Sequence, residues 1–205
     1  MCLRKQLDLF TFSGYNKVFI TSEKIMKINL SRPDITEKEI EAVCEVLRGP
    51  NLSLGPKLPE FEQAFAGCIG TQRAVAVNSG TSGLFLCLKA MGVGEGDEVI
   101  TTPFTFIASA ATIMAAGARP VFADIDPVSL NISAEGIKTA VTESTRAVLP
   151  VEVFGNPAGF DRITETAAAC GLDVIEDCCE ALGSSLNGKK AGTYGRAGVF
   201  AFYPN

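Results

Sequence analysis

The 205-residue chain is 47% apolar and 20% charged with a net charge of −5, which suits one domain with its own core and excludes a disordered chain. That acidic balance also argues against a nucleic-acid groove or an anionic membrane surface, both of which need clustered Lys and Arg. There is no histidine, so Ser-His-Asp and Cys-His catalysis are excluded within the chain, a zinc site is disfavoured, and acid–base work falls to carboxylates, lysine, tyrosine or a cofactor.

In chain order, residues 1–27 read as an extension with no role in the fold. Leu7–Phe12 is too short for a signal-peptide core and is broken by Asp8, and Met26 stands just before the regular pattern begins. A helix is predicted over 36–48, with Thr36 and Glu39 spaced as a capping box and Ile40, Val43 and Leu47 as its apolar stripe. A second follows over 58–68, with Pro59 in its first turn. Then strands alternate with helices: strand 74–77, helix 81–91, strand 98–102, helix 105–116, strand 120–123, helix 133–141, strand 147–151, helix 160–170, strand 172–175 and strand 198–202. Short, continuously apolar strands between helices define an α/β fold, a mainly parallel sheet covered on both faces. No linker or repeat interrupts residues 28–205, which read as one domain. No apolar run reaches membrane-spanning length. The seven cysteines, odd in number and without C-x-x-C, read as small buried thiols of a reducing cytosol, the adjacent Cys178 and Cys179 included; no metal site is assigned.

In parallel sheets ligands gather at the carboxyl ends of the strands. Three such loops hold polar or aromatic residues. Asn78-Ser79-Gly80-Thr81-Ser82-Gly83-Leu84 joins a strand to a helix, where Gly80 permits a tight turn and Thr81 and Ser82 offer hydroxyls and amides to an anion. The plainer reading is an ordinary capped turn, and the motif is neither a P-loop nor a dinucleotide fingerprint. Thr102-Pro103-Phe104-Thr105-Phe106 could present the Phe106 ring to a planar ligand, or simply pack it into the core. Glu176-Asp177-Cys178-Cys179-Glu180 ends a strand with three carboxylates, and Asp177 there could hold a proton on a heteroaromatic nitrogen; a helix-start carboxylate is the bland alternative. Residues 188–192, with Lys189 and Lys190 between glycines, read as an exposed turn.

Taken together, these segments resemble one family. L-S-R-P-D-I-T from Leu30, L-S-L-G-P-K at 52–57, N-S-G-T-S at 78, G-D-E-V-I-T-T-P-F-T-F at 96, G-A-R-P-V-F-A-D-I-D at 117, P-V-E-V-F-G-N-P at 150, V-I-E-D-C-C-E-A-L-G at 174 and G-V-F-A-F-Y-P-N at 198 are similar to the N-terminal part of the DegT/DnrJ/EryC1/StrS family of pyridoxal-phosphate-dependent sugar aminotransferases. The resemblance covers nearly all of 28–205. It implies the large domain of a fold-type-I transferase in partial form, a cytoplasmic homodimer, and transfer of an amino group, with glutamate as donor, to a nucleotide-linked keto sugar in polysaccharide or antibiotic sugar biosynthesis. It implies that Thr81 and Ser82 bind the cofactor phosphate, that Phe106 stacks on the pyridine ring, that Asp177 pairs with the ring nitrogen and that Glu180 lies beside the ring's 3-hydroxyl. Glu152 stands where members often have His, and Ala201 where many have a phosphate-binding Ser. The Schiff-base lysine would follow Asn205, so the chain as it stands is expected to be inactive alone. Two other readings remain: a sugar dehydratase of the same family, in which histidine replaces the lysine, and a non-catalytic fragment that binds only a phosphate ligand or a partner.

Overall fold

The computed structural model describes residues 33–202. The predicted extension over 1–27 and the terminal Tyr203-Pro204-Asn205 lie outside the described residues.

Two helices lead in. α1 (Glu37–Arg48) has the capping box expected of Thr36 and Glu39: the Thr36 N–H donates to Glu39 Oε2 at 2.7 Å, and the Lys38 N–H to Thr36 Oγ1 at 3.3 Å. None of its residues is buried, and the Ile40, Val43 and Leu47 stripe is exposed. α2 (Lys57–Ile69) ends at Gly70, whose φ of 89° places it in the left-handed conformation that closes a helix.

The centre is a five-stranded parallel sheet in the order β2-β1-β3-β4-β7, from β1 (Glu98–Thr101), β2 (Arg119–Phe122), β3 (Thr145–Val148), β4 (Asp173–Asp177) and β7 (Ala197–Val199). Side-chain alternation along β1 explains the layers. Val99 joins one core with Leu84, Leu88, Ile113 and Ile175, under α3 (Gly80–Ala90) and α4 (Ala108–Ala115). Its neighbour Ile100 joins the opposite core with Ile137, Phe160, Ile163 and Val174, under α5 (Ala134–Ala140) and α6 (Phe160–Ala169). Ile100, fully buried, contributes about 1.5–3 kcal/mol by its removal from water. The sheet is therefore covered on both faces over the apolar centres of its strands, such as Val99-Ile100 and Val174-Ile175.

The structure corrects several expected elements. Residues 74–77 form no strand, because among the described residues no neighbouring strand pairs with them; Val75 is exposed. α4 begins at Ala108 rather than 105, since 103–107 make an irregular turn. The last strand of the sheet stops at Val199, and Phe200 and Phe202 instead pack edge-on against Phe65 of α2. The expected exposed turn at 188–192 contains half of a hairpin, β5 (Ser185–Leu186) with β6 (Lys189–Lys190), turned by Asn187 and Gly188 at φ 53° and 80°. Two positive φ values at Asn-Gly are the signature of a tight hairpin turn.

Candidate functional site

The ends of β1 and β4, the loop after β3 and the start of α3 face one open cleft of 1390 Å³, which Thr81, Phe106, Asp177 and Glu180 all line.

The start of α3 is shaped by serine rather than threonine. Ser79 is the N-cap: its Oγ accepts the Ser82 N–H at 3.1 Å, and its own hydroxyl lies 3.1 Å from Ser82 Oγ. The Gly80 and Thr81 amides belong to the first turn, where N–H groups have no intrahelical acceptor, and the helix dipole adds partial positive charge there. Ser82 is not in the cleft wall; its oxygen accepts from the cap, which leaves its own O–H to donate. Gly80 is required by close approach: a Cβ there would lie 2.8 Å from Cys179 Sγ and 3.2 Å from Ala201 Cβ. This contact brings the first turn of α3 against the exit of β4.

Asp177 is the last residue of β4 and is buried. Alternation places it on the α3–α4 side of the sheet, the side of Ile175. Its Oδ2 accepts from Ser109 Oγ of α4 at 2.8 Å, Ser109 lies 2.8 Å from Thr105 Oγ1, and the Cys179 N–H donates to Oδ1 at 3.3 Å. The carboxylate is thus held in one orientation by two elements. Sequence reasoning missed Ser109 and Thr105; their i, i+4 spacing around the helix start was the available signal.

Phe106 is 72% exposed and Phe104 42%, so neither ring is a core side chain. Phe104 meets Phe154 edge-on, with centroids 6.1 Å apart and planes at 83°. Phe154 has φ of 53°, a strained value for a non-glycine residue, within the short 3-10 turn Val153–Gly155. Its N–H donates to Glu180 Oε2 at 2.9 Å, which orients Glu180. Phe154 was not singled out from the sequence.

Behind β4, facing away from the cleft, lies a second group. Glu152, Glu176 and Cys178 are buried, and one ligand-type atom from each lies within 4.8 Å of the others. Burial, then the Glu176 carboxylate, pushes the Glu152 carboxyl up to about 8. Burial also raises Glu176, against the Gly195 and Gly192 N–H groups, which favour its charged form. Burial and the adjacent carboxylates push the Cys178 thiol up.

With its parallel sheet and strand-end cleft, the domain has the fold of type-I pyridoxal-phosphate aminotransferases. The solved structure of Spr1654 from Streptococcus pneumoniae in a PLP form matches at a TM-score of 0.81 with 32% identity, over 86% of this chain and 49% of that one, and a PMP form of the same protein also matches. The family model described as "DegT/DnrJ/EryC1/StrS aminotransferase family" matches residues 33–205, and the chain belongs to that family, which is pyridoxal-phosphate dependent. Among curated relatives, the spore coat polysaccharide biosynthesis protein SpsC of Bacillus subtilis is 47% identical over 173 residues, 84% of this chain and 44% of that protein. The GDP-perosamine synthase of Caulobacter vibrioides is 39% identical over 180 residues, 87% and 48% respectively. The chain thus spans under half the length of the curated relatives it matches. Among the described residues no helix is long and apolar enough to cross a membrane.

Proposed function

We propose that this chain carries a cofactor-holding part of a sugar aminotransferase, whose whole protein moves an amino group from glutamate to a keto group on a nucleotide-linked sugar. The observation that carries the reading is that the Asp177 carboxylate and the free first-turn amides of α3 open into one cleft beside an exposed Phe106 ring. The relatives named for GDP-perosamine and for spore coat polysaccharide support the substrate class.

The donor set fits pyridoxal phosphate. A phosphate is a dianion, and the Gly80 and Thr81 amides with the Thr81 hydroxyl are donors at a helix N-terminus beside the cleft, whereas Ser82 stays with the Ser79 cap. A pyridine nitrogen keeps its proton beside a carboxylate, and Asp177 is fixed by Ser109 and the Cys179 amide so that it can accept that proton's hydrogen bond. Phe106 offers a flat face, and Glu180, oriented by the Phe154 N–H, is assigned to the ring's 3-hydroxyl. When bound, the cofactor supplies an electron sink that lets nitrogen leave one carbon and join another. Asp177 maintains that sink by keeping the ring nitrogen protonated; Ser109 and Thr105 keep Asp177 from rotating away.

The test is to incubate the whole protein with pyridoxal phosphate, glutamate and a panel of nucleotide-linked keto sugars, and to read products by mass spectrometry. A sugar that gains nitrogen while glutamate becomes its keto acid supports the reading. A sugar that loses water without gaining nitrogen would make it a dehydratase. For the cofactor roles, Asp177→Asn is expected to weaken pyridoxal phosphate binding, and unchanged affinity would remove Asp177 from the site.

A further inference from the structure

Glu152 is fully buried, and its Oε2 has no hydrogen-bond partner. An unpaired buried carboxylate oxygen is costly, so its surroundings must resolve it. Those surroundings are the end of β4 and the loop after the hairpin. From β4 and the residue just after it come the Glu176 carboxylate, the Cys178 thiol and, on the other face, Asp177. From the loop come Tyr194 and the Gly192 and Gly195 amides. None of the ion pairs among the described residues involves Glu152 or Glu176. The Gly192 N–H donates to Glu176 Oε2 at 2.8 Å and the Gly195 N–H to Oε1 at 2.5 Å, so Glu176 accepts from both sides and suits the ionised form. Cys178 Sγ lies 3.6 Å from Glu152 Oε1, where its S–H can donate. Glu152 is left to supply the one missing donor.

We propose that Glu152 and Glu176 share a single proton, Glu152 as the neutral acid donating to the Glu176 carboxylate, and that this bond makes them positioning residues for the strand end bearing Asp177. The linkage is short. The Glu152 N–H donates to the Asp177 carbonyl at 3.0 Å, and the Asp177 N–H to the Pro150 carbonyl at 2.9 Å. Losing the proton places two negative charges in one dry pocket and pushes residues 150–153 from the end of β4. The proton pair is independent of the cofactor reading; its consequence for ligand binding rests on that reading.

The sign follows from linkage. A carboxyl that rises from its ordinary 4.5 to about 8 on folding holds a proton that the unfolded chain has released. Its stabilisation is complete below 4.5 and is lost as pH rises through about 8. Across that window the unfolding constant of the chain grows about tenfold per pH unit from this proton. Glu152→Gln keeps a donor to Glu176 but cannot titrate, so its stability is expected to be flat over the same window, whereas Glu152→Ala loses the bond and is destabilised at neutral pH. Denaturant unfolding of the chain and both variants at several pH values reads this directly, without cofactor. Isotope-edited infrared spectra of the unaltered chain decide the matter if a variant does not fold: a protonated-carboxyl band that persists at neutral pH and disappears near 8 is expected. The proposal is overturned by full ionisation of both acids at neutral pH, by equal pH slopes in the chain and in Glu152→Gln, or by a stoichiometric bound metal lost in Glu152→Ala. In the first two cases pyridoxal phosphate binding stands untouched; conversely, a titrating pair in a chain that binds no pyridoxal phosphate removes only the cofactor reading.

Discussion

Gly80→Ala tests whether the first turn of α3 is wedged against the exit of β4. The added methyl would lie 2.8 Å from Cys179 Sγ and 3.2 Å from Ala201 Cβ. Carbon atoms pack best at about 3.5–4.0 Å, so the overlap with sulfur is close to 1 Å. Cys179 is half-buried with its Sγ 3.8 Å from the Val199 carbonyl, which limits where it can turn. Overpacking of this kind costs about 1–3 kcal/mol. Alanine's better helix propensity returns at most about 1 kcal/mol, and less than that at a first-turn position. A net loss of about 1–2 kcal/mol is expected. In urea this shifts the midpoint down by roughly 0.3–2 M for a domain whose m-value lies within about 1–3 kcal/mol/M. The second half of the test is Gly80→Ala with Cys179→Ala, which removes the nearer obstacle. The pair is expected to be coupled by about 1 kcal/mol in the restoring direction, well above the additivity of separate sites. Equal midpoints for the chain and Gly80→Ala, or strict additivity in the double variant, would refute the contact and with it the placement of α3 over Cys179.

Two further outcomes follow from the same geometry. Thr81→Ala removes a donor assigned to a phosphate dianion; hydrogen bonds to charged groups contribute about 1.5–3 kcal/mol, so it is expected to weaken pyridoxal phosphate about tenfold or more while leaving pyridoxal, which has no phosphate, unchanged. A fluorescence titration with both ligands checks this, and equal losses for the two would assign the Thr81 hydroxyl to the fold rather than to an anion. Asn131→Leu should destabilise the chain by about 3–5 kcal/mol in urea unfolding, because the buried amide donates to the Asn156 and Ala158 carbonyls at 2.7 and 3.0 Å and accepts the Val153 N–H at 3.0 Å, leaving three groups to desolvate unpaired; a loss under about 1 kcal/mol would mean that water replaces the side chain.

What could be read in the amino-acid text follows from which forces are local. β1, β3 and β4 were legible from their apolar centres, Val99-Ile100, Ala147-Val148 and Val174-Ile175, and Asp177 stood out as an acid at the ligand-bearing end. The capping box of α1 was legible for a similar reason, since Thr36 and Glu39 satisfy each other within one turn. Residues 74–77 are apolar throughout yet form no strand, because a strand is a relation to a neighbour and no composition can supply one. The Asn187-Gly188 hairpin failed in the opposite direction: its strands are short and polar, so only the turn chemistry marked it. The candidate site divides along the same line. Thr81, Phe106 and Asp177 were identifiable one by one as loop residues at strand ends. Ser109 was not, because its bond to Asp177 spans 68 positions and exists only once α4 is laid against the end of β4. Glu152 drew notice only because the resemblance implies a histidine there in many members. Its meaning depends on Glu176, which alternation turns to the same side of the sheet and which two glycine amides hold in place. A histidine at 152 could meet Glu176 as a cation or as a neutral donor, whereas a glutamate can do so only by keeping its proton. Under the proposed shared proton, position 152 carries a group that titrates with folding, and Glu152→His is expected to change how stability depends on pH.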